Sequence, residues 1–241
     1  MSCSLAWDPG EVSGDLAAEA VHLWGWRLDS LPIELAAHIR LLSDAEVQRM
    51  HAFHFAEDRA RYALTHAHLR RILSAYLKRP PSQIAFAVSA FGKPAVAGEA
   101  SFHFSLSHSQ SVAVVAITRE GPVGVDVEDV RPIEAEVAAG HFSAAELADL
   151  GSLPGEAWLA GFYRCWTRKE AILKAEGVGL HRALDEFDVS LLPNAPPQLL
   201  GTRKPFLYPW QLHDVPPSAG TAGALATAHR NAVVSCFHHL D

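Results

Sequence analysis

Two short segments of this chain have the same form, Ser43-Asp44-Ala45-Glu46 and Ser143-Ala144-Ala145-Glu146. Each is a capping box: the serine oxygen takes a backbone N–H three residues on, and the glutamate reaches back to the serine's own N–H. Each therefore opens a helix, and the elements around the two boxes recur in one order. Before the first, alternation predicts a strand over Val21–Asp29. After it, Tyr62, Thr65, Leu69, Ile72, Leu73 and Tyr76 fall at three- and four-residue steps and predict a long amphipathic helix over Glu57–Leu77, stopped by Pro80-Pro81. Strands are expected at Gln83–Val88, Ser101–Leu106 and Val112–Thr118, the last a continuous apolar run suited to a buried position.

Gly121-Pro122 punctuates the chain, and the order then repeats. Val123–Val130 is an expected strand. The second box opens a short helix, Gly161–Glu176 forms a longer one closed by Gly177, and strands follow at Glu186–Ser190, Phe206–His213 and Asn231–Phe237. This matched order predicts an α+β fold of two pseudo-symmetric subdomains, residues 1–120 and 121–241. A ligand then belongs in the cleft between them, since pockets favour domain interfaces.

Composition narrows the function classes. With 49% apolar and 20% charged residues in 241, the chain has the make-up of a globular protein. It has no apolar run of the roughly 18 residues that a membrane helix needs, and its first residues carry acids where a signal peptide carries lysines. Cys3, Cys165 and Cys236 are odd in number and widely spread, which fits neither a disulfide framework nor a zinc site. A cytoplasmic protein is expected. A net charge of −7 argues against a nucleic-acid partner, although Arg59, Arg61, Arg70, Arg71 and Lys78 make one basic stretch. That stretch reads either as a solvated helix face or as a site for a small phosphorylated ligand. The 14 histidines show no metal-binding spacing such as HxxEH.

Three segments carry candidate chemistry. In Gly124-Val125-Asp126-Val127-Glu128-Asp129 a period of two puts Val123, Val125 and Val127 on one face of the strand and Asp126 and Glu128 on the other. Paired carboxylates raise each other's pKa unless a cation sits between them, so the pair is either solvent-exposed or a metal site. Asp129 is the weaker candidate. On the second long helix Trp166, Glu170 and Lys174 lie along one side at four-residue steps: a surface ion pair, or the mouth of a cleft. Finally, Ser105-Leu106-Ser107-His108-Ser109 ends a strand with hydroxyls around a histidine, either plain surface or a phosphate cradle.

Together, F-G-K-P at 91–94, S-L-S-H-S at 105–109, G-V-D-V-E at 124–128 and W-T-R-K-E-A-I-L-K-A-E-G at 166–177 resemble the signature blocks of the 4′-phosphopantetheinyl transferase superfamily, Sfp type, in that family's order and spacing. The resemblance implies the family's fold of two α+β halves with coenzyme A bound between them. It also implies an activity, holo-[acyl-carrier-protein] synthesis: transfer of the 4′-phosphopantetheine arm from coenzyme A to a serine of an apo acyl or peptidyl carrier protein, with Mg2+ and release of adenosine 3′,5′-bisphosphate. Carried over position by position, Asp126, Glu128 and Glu170 become metal ligands. Glu170 or a metal-bound hydroxide becomes the base, and Lys174 becomes the residue that stabilises the transferring phosphoryl group or protonates the leaving group. Ser107 and His108 fall at the coenzyme's 3′-phosphate, Lys93 near the nucleotide, and Arg49 and Arg61 near the adenosine phosphates; Asp126 and Lys174 also face the coenzyme. A monomer is implied.

Two positions depart from the family pattern. Glu46 stands where a further lysine is common, three residues before Arg49, and Tyr62 stands where a small hydroxyl residue is common. Two other function classes remain open from the residues: a non-catalytic homologue that binds coenzyme A or a carrier, and a metal-dependent phosphohydrolase. The helix opened by Ser143 and the loop around Leu153–Trp158 are candidate carrier-docking surfaces.

Overall fold

The computed structural model describes residues 6–29 and 35–239; Cys3 lies outside them. The first part of the chain contains β1 (Trp7–Gly10), β2 (Ala20–Arg27), α1 (Leu35–Ile39), α2 (Asp44–His51), α3 (Ala56–Leu77), β3 (Phe86–Val88), β4 (Pro94–Val96), β5 (His103–His108) and β6 (Val112–Thr118). The second contains β7 (Val123–Asp129), α4 (Ala135–His141), α5 (Ala144–Gly151), α6 (Gly155–Glu176), β8 (Phe187–Val189), β9 (Leu199–Thr202), β10 (Gln211–Asp214), β11 (Thr221–Thr227) and β12 (Val233–His239). The fold is α+β.

Four layers stack in the order α3, a five-stranded sheet, a three-stranded sheet and α6. The larger sheet runs β1-β12-β2-β6-β5 and the smaller β10-β11-β7. Most of the stripe expected on α3 is buried: Leu69, Ile72, Leu73 and Tyr76, joined by Leu64, pack on Trp24, Trp26, Phe102, Phe104, Val115 and Ile117, and Thr65 is buried too, whereas Tyr62 is only half-buried and faces a cavity. Between the sheets, Val21, Leu23, Val112 and Val114 meet Val123, Val125, Val127 and Leu225. The alternation read along β7 therefore holds, with its valines facing the other sheet and its even positions facing α6.

Both capping boxes form, and each glutamate does more than cap. Glu46 closes its box and holds the Arg70 guanidinium of α3 at 2.7 Å. Arg70 also donates to the carbonyls of Pro81 and Ile84 and lies over the Phe86 ring. In the second half Glu146 closes its box and holds Lys169 of α6 at 2.7 Å; Lys169 donates to the carbonyls of Leu184 and Phe187 and lies over the Phe187 ring. The pseudo-symmetry thus extends to a repeated device: a helix-capping acid, a buried cation on the long helix, and the carbonyls of the segment that follows it.

Some boundaries differ from expectation for identifiable reasons. Helix α3 ends at Leu77 as expected, with Lys78 as its C-cap in the left-handed region at φ 52°, ahead of the prolines. Helix α6 begins at Gly155, more than a turn and a half before Gly161. In place of the expected Phe206–His213 strand only Gln211–Asp214 is extended in a ladder, because Pro205 and Pro209 lack the N–H that a ladder needs. Strand β11, Thr-Ala-Gly-Ala-Leu-Ala-Thr, has little intrinsic β character. Its small residues let α6 lie close, with Ala222, Ala224 and Ala226 in the core beneath that helix. Strand β12 leaves the second half and pairs in parallel with both β1 and β2 in the first sheet.

Removing one partner of a fully buried ion pair strands the other charge, at a cost of about 3–5 kcal/mol. Lys169→Met is expected to lower the free energy of unfolding by about that amount, read from equilibrium urea denaturation, and Glu146→Gln in the same background should recover part of the loss.

Candidate active site

The two sheets are joined by side chains rather than by a backbone ladder. Alternate serines, Ser105 and Ser107 of β5 and Ser109 just after it, meet alternate residues of β7 in step. Ser105 Oγ accepts the N–H of Val125 at 3.1 Å, Ser107 Oγ accepts the N–H of Val127 at 3.2 Å, and Ser109 Oγ donates to Asp129 at 2.9 Å. The hydroxyls of the S-L-S-H-S segment therefore stitch one half to the other, and Phe102 and Phe104, just before it, pack against α3.

At the centre of this seam is Asp126, 3% exposed. Its Oδ1 accepts from Ser107 Oγ at 3.0 Å and from Lys174 Nζ at 2.6 Å, and Lys174 Nζ also donates to Ser107 Oγ at 2.9 Å. Asp126 Oδ2 is buried with no hydrogen-bond partner among the described residues. Burial and then the charge of Asp126 push Glu128 up to about 7, against the pull of Lys174 and Arg131. The same two causes raise Glu170 above the usual carboxylate range, against Lys174 and His141. The three acids thus share one electrostatic environment.

Helix α6 reaches this seam because Gly124 has no side chain. A Cβ there would lie 2.1 Å from the carbonyl oxygen of Ala171 and 2.3 Å from the nitrogen of Ala175. The helix is also held in rotation. Arg168, wholly buried, makes a two-point contact with Asp214 at 2.9 and 2.6 Å and donates to Ser190, while Lys169 is anchored as above. Successive helical residues turn by about 100°, so with 168 and 169 fixed inward, Glu170 and Lys174 are presented together toward β7. Trp166 packs among His141, Phe142 and Phe162 instead of standing at a cleft mouth.

Two cavities flank the centre. One, about 310 Å³, is polar, and Arg61, Tyr62, His108, Glu128, Asp129 and Arg131 are among its walls. The other, about 270 Å³, is mainly apolar and is bounded by Phe91, Lys93, Leu106, Glu170, Leu173 and Lys174. Of the candidates read from sequence, Asp126, Ser107 and Lys174 meet directly, and Glu128, Glu170, Arg61 and His108 stand around them. Arg49 lies over the Phe53 ring, at 5.9 Å from its centroid, beside the polar cavity. Arg61 is held by Asp58 at 2.7 Å. The pocket walls and Lys174 keep His108 below the ordinary histidine pKa. Lys93 has a role the sequence did not suggest: its Nζ donates to the carbonyls of Val123 and Ala175 at 3.0 and 2.9 Å, tying the F-G-K-P turn to β7 and to the end of α6.

Lys174 pairs with Asp126 and not, within 4 Å, with Glu170, so the four-residue surface pair is not formed. Among the described residues no three His, Cys, Asp or Glu side chains are grouped closely enough to hold a metal ion together. Asp129, the weaker candidate, has a structural place: it accepts from Ser109 Oγ, from Ser111 N at 3.0 Å and from Ser111 Oγ, locking the turn after His108. The signal was the pair of serines flanking Gln110, whose hydroxyls need an acceptor at the adjoining strand end.

Residues 122–229 match the 4′-phosphopantetheinyl transferase superfamily, and residues 27–120 match the N-terminal part of 4′-phosphopantetheinyl transferases. Over 227 residues, 92% of this chain and 93% of the relative, the chain is 34% identical to the 4′-phosphopantetheinyl transferase HetI of Nostoc sp.. The chain belongs to the 4′-phosphopantetheinyl transferase superfamily. This transferase is also 39% identical over 139 residues to the 4′-phosphopantetheinyl transferase psf-1 of Bacillus pumilus, spanning 58% of the chain and 59% of the relative. To Sfp of Bacillus subtilis it is 32% identical over 150 residues, 62% and 66% of the two chains. It is thus an enzyme of the holo-[acyl-carrier-protein] synthase kind, and the seam at Asp126 lies inside the matched segment.

Gly124→Ala is expected to force α6 off β7. Overpacking at a rigid contact costs about 1–3 kcal/mol, and because both atoms in the way are backbone, the upper end applies. Urea denaturation measures the loss, and the near-ultraviolet circular dichroism of the aromatic cluster on α6 should change with it.

Proposed function

We propose that this transferase moves the 4′-phosphopantetheine group of coenzyme A to a serine of an apo acyl or peptidyl carrier protein, with Mg2+, releasing adenosine 3′,5′-bisphosphate. The observation that carries the reading is the Asp126–Ser107–Lys174 node, set between a polar cavity with Arg61 and His108 and an apolar one running along α6. A nucleotide polyphosphate suits the first and an uncharged arm the second.

Hard oxygen donors suit magnesium, which is commonly held by one or two carboxylates plus substrate phosphates. Asp126 Oδ2, buried without a partner, fits that role; Glu128 and Glu170, both raised by burial and then by the Asp126 charge, would be the further donors, although in this structure the three are not grouped closely enough to hold an ion by themselves. When bound, the ion neutralises charge on the pyrophosphate. The chain's own residues do the rest. Glu170, on the same side of α6 as Lys174, accepts the proton of the attacking serine. The serine oxygen bonds to the phosphorus on the pantetheine side, and the bond from that phosphorus to the bridging oxygen breaks. Lys174 Nζ, held at Asp126 and Ser107, faces the charge that develops on the departing bisphosphate.

The division into halves 1–120 and 121–241 is part of this proposal, with β12 crossing back into the first sheet. So is a cytoplasmic setting, which the buried free thiols of Cys165 and Cys236 support. No helix among the described residues is long and apolar enough to cross a membrane.

Incubation with coenzyme A, Mg2+ and several apo carriers should give carriers bearing the phosphopantetheine adduct by mass spectrometry; no adduct on any carrier would overturn the reading. Asp126→Ala and Lys174→Ala are each expected to slow transfer by about 100-fold or more, the scale of removing a group that stabilises transition-state charge. Excess EDTA should stop transfer, and added Mg2+ should restore it.

A further inference from the structure

The polar cavity contains one cation that no part of the reading above uses. Arg131 follows β7 and lines the cavity with Arg61 and His108, although it comes from the other half of the chain. Its backbone is fixed at both ends: its N–H donates to Tyr163 Oη at 3.4 Å, and its carbonyl accepts from the same hydroxyl at 3.1 Å. Tyr163 is itself buried in α6, so the residue's position is set by the helix that carries Glu170 and Lys174. The side chain is exposed, and among the described residues its guanidinium forms no ion pair within 4 Å.

Of the three carboxylates that line the cavity, Glu128 interacts electrostatically with Arg131 but makes no ion pair with it within 4 Å, and the other two are engaged elsewhere. Asp58 is taken up by Arg61 at 2.7 Å, and Asp129 by Ser109 and Ser111. Glu46 stands where the family pattern commonly has a lysine, and it is committed to its capping box and to buried Arg70. The first half therefore offers the cavity one cation fewer than the pattern expects.

Resting on the transferase reading, we infer that Arg131 supplies the missing charge: it binds the 3′-phosphate of coenzyme A across the cleft, opposite Arg61 and His108. A guanidinium suits this task because its planar fork can give two N–H groups to one phosphate. Recognition of the nucleotide end would then draw on both halves, and coenzyme A would be told from its 3′-dephospho form partly by a residue just beyond the metal-ligand strand.

Calorimetric titration without a carrier tests this, since no transfer occurs. Coenzyme A and 3′-dephospho-coenzyme A are titrated into the wild type, Arg131→Ala and Arg131→Lys, each first shown by circular dichroism to be folded. Arg131→Ala should weaken coenzyme A about tenfold or more, the scale of a lost charge-assisted hydrogen bond, and change the dephospho form by less than about twofold; Arg131→Lys should fall between. Equal weakening of both ligands would place Arg131 at another part of the coenzyme, and no weakening would remove it from the site; either overturns the inference. If the wild type transfers the arm but Arg131→Ala binds coenzyme A normally, the inference alone fails. If the wild type neither binds coenzyme A nor modifies a carrier, the transferase reading fails with it.

Discussion

Everything at the centre of this molecule depends on three hydroxyls spaced two residues apart. Ser105, Ser107 and Ser109 present themselves on one side of β5 and meet Val125, Val127 and Asp129 of β7 in register. A serine Oγ can donate one hydrogen bond and accept two. Ser107 uses all three: it satisfies a backbone N–H that the seam would otherwise bury unpaired, it accepts from Lys174, and it donates to Asp126. That one contact belongs at once to the architecture and to the chemistry. Replacing the seam by an ordinary β ladder would satisfy the same backbone groups but leave no side-chain oxygen beside Asp126.

The second constraint is rotational. A helix lying on a strand can turn about its axis unless something fixes it. Here neighbouring cations, Arg168 and Lys169, are both buried and both bound to acids on different elements, Asp214 and Glu146. In the W-T-R-K-E segment, therefore, two charged residues are anchors and the next is presented to the site. The counterpart in the first half is Arg70 with Glu46, which gives the departure at Glu46 a physical reason. An acid that caps α2 and neutralises a buried guanidinium is not available to a ligand, whatever residue relatives have there.

Much of this was legible from the sequence. The capping boxes, the stripe on α3, the apolar run of β6 and the alternation along β7 are local patterns, and the structure contains each. The acids, serines and lysine of the centre were recognisable because their types and order match a family. What was not legible is what depends on a distant partner. Strand β11 is made of alanine, glycine and threonine because α6 presses on it, and a sequence window holds no record of that helix. Lys93 lines the apolar cavity, and its ammonium also meets carbonyls of β7 and α6 that only the fold brings near. Asp129 holds the turn after β5, whose serines no pattern along β7 reveals.

The path of β12 has a consequence in time. This strand sits between β1 and β2, so the first sheet lacks an interior strand until residues 233–239 have been made. Ribosomes add about 5–20 residues per second, and β6 ends at Thr118. The edge of β2 therefore waits on the order of ten seconds, its N–H and C=O groups facing nothing but water or another chain. An unpaired edge of that kind is a template for the wrong neighbour. During synthesis the nascent first half is thus a client for whatever shields open strands, and the last strand acts as a latch that ends that exposure.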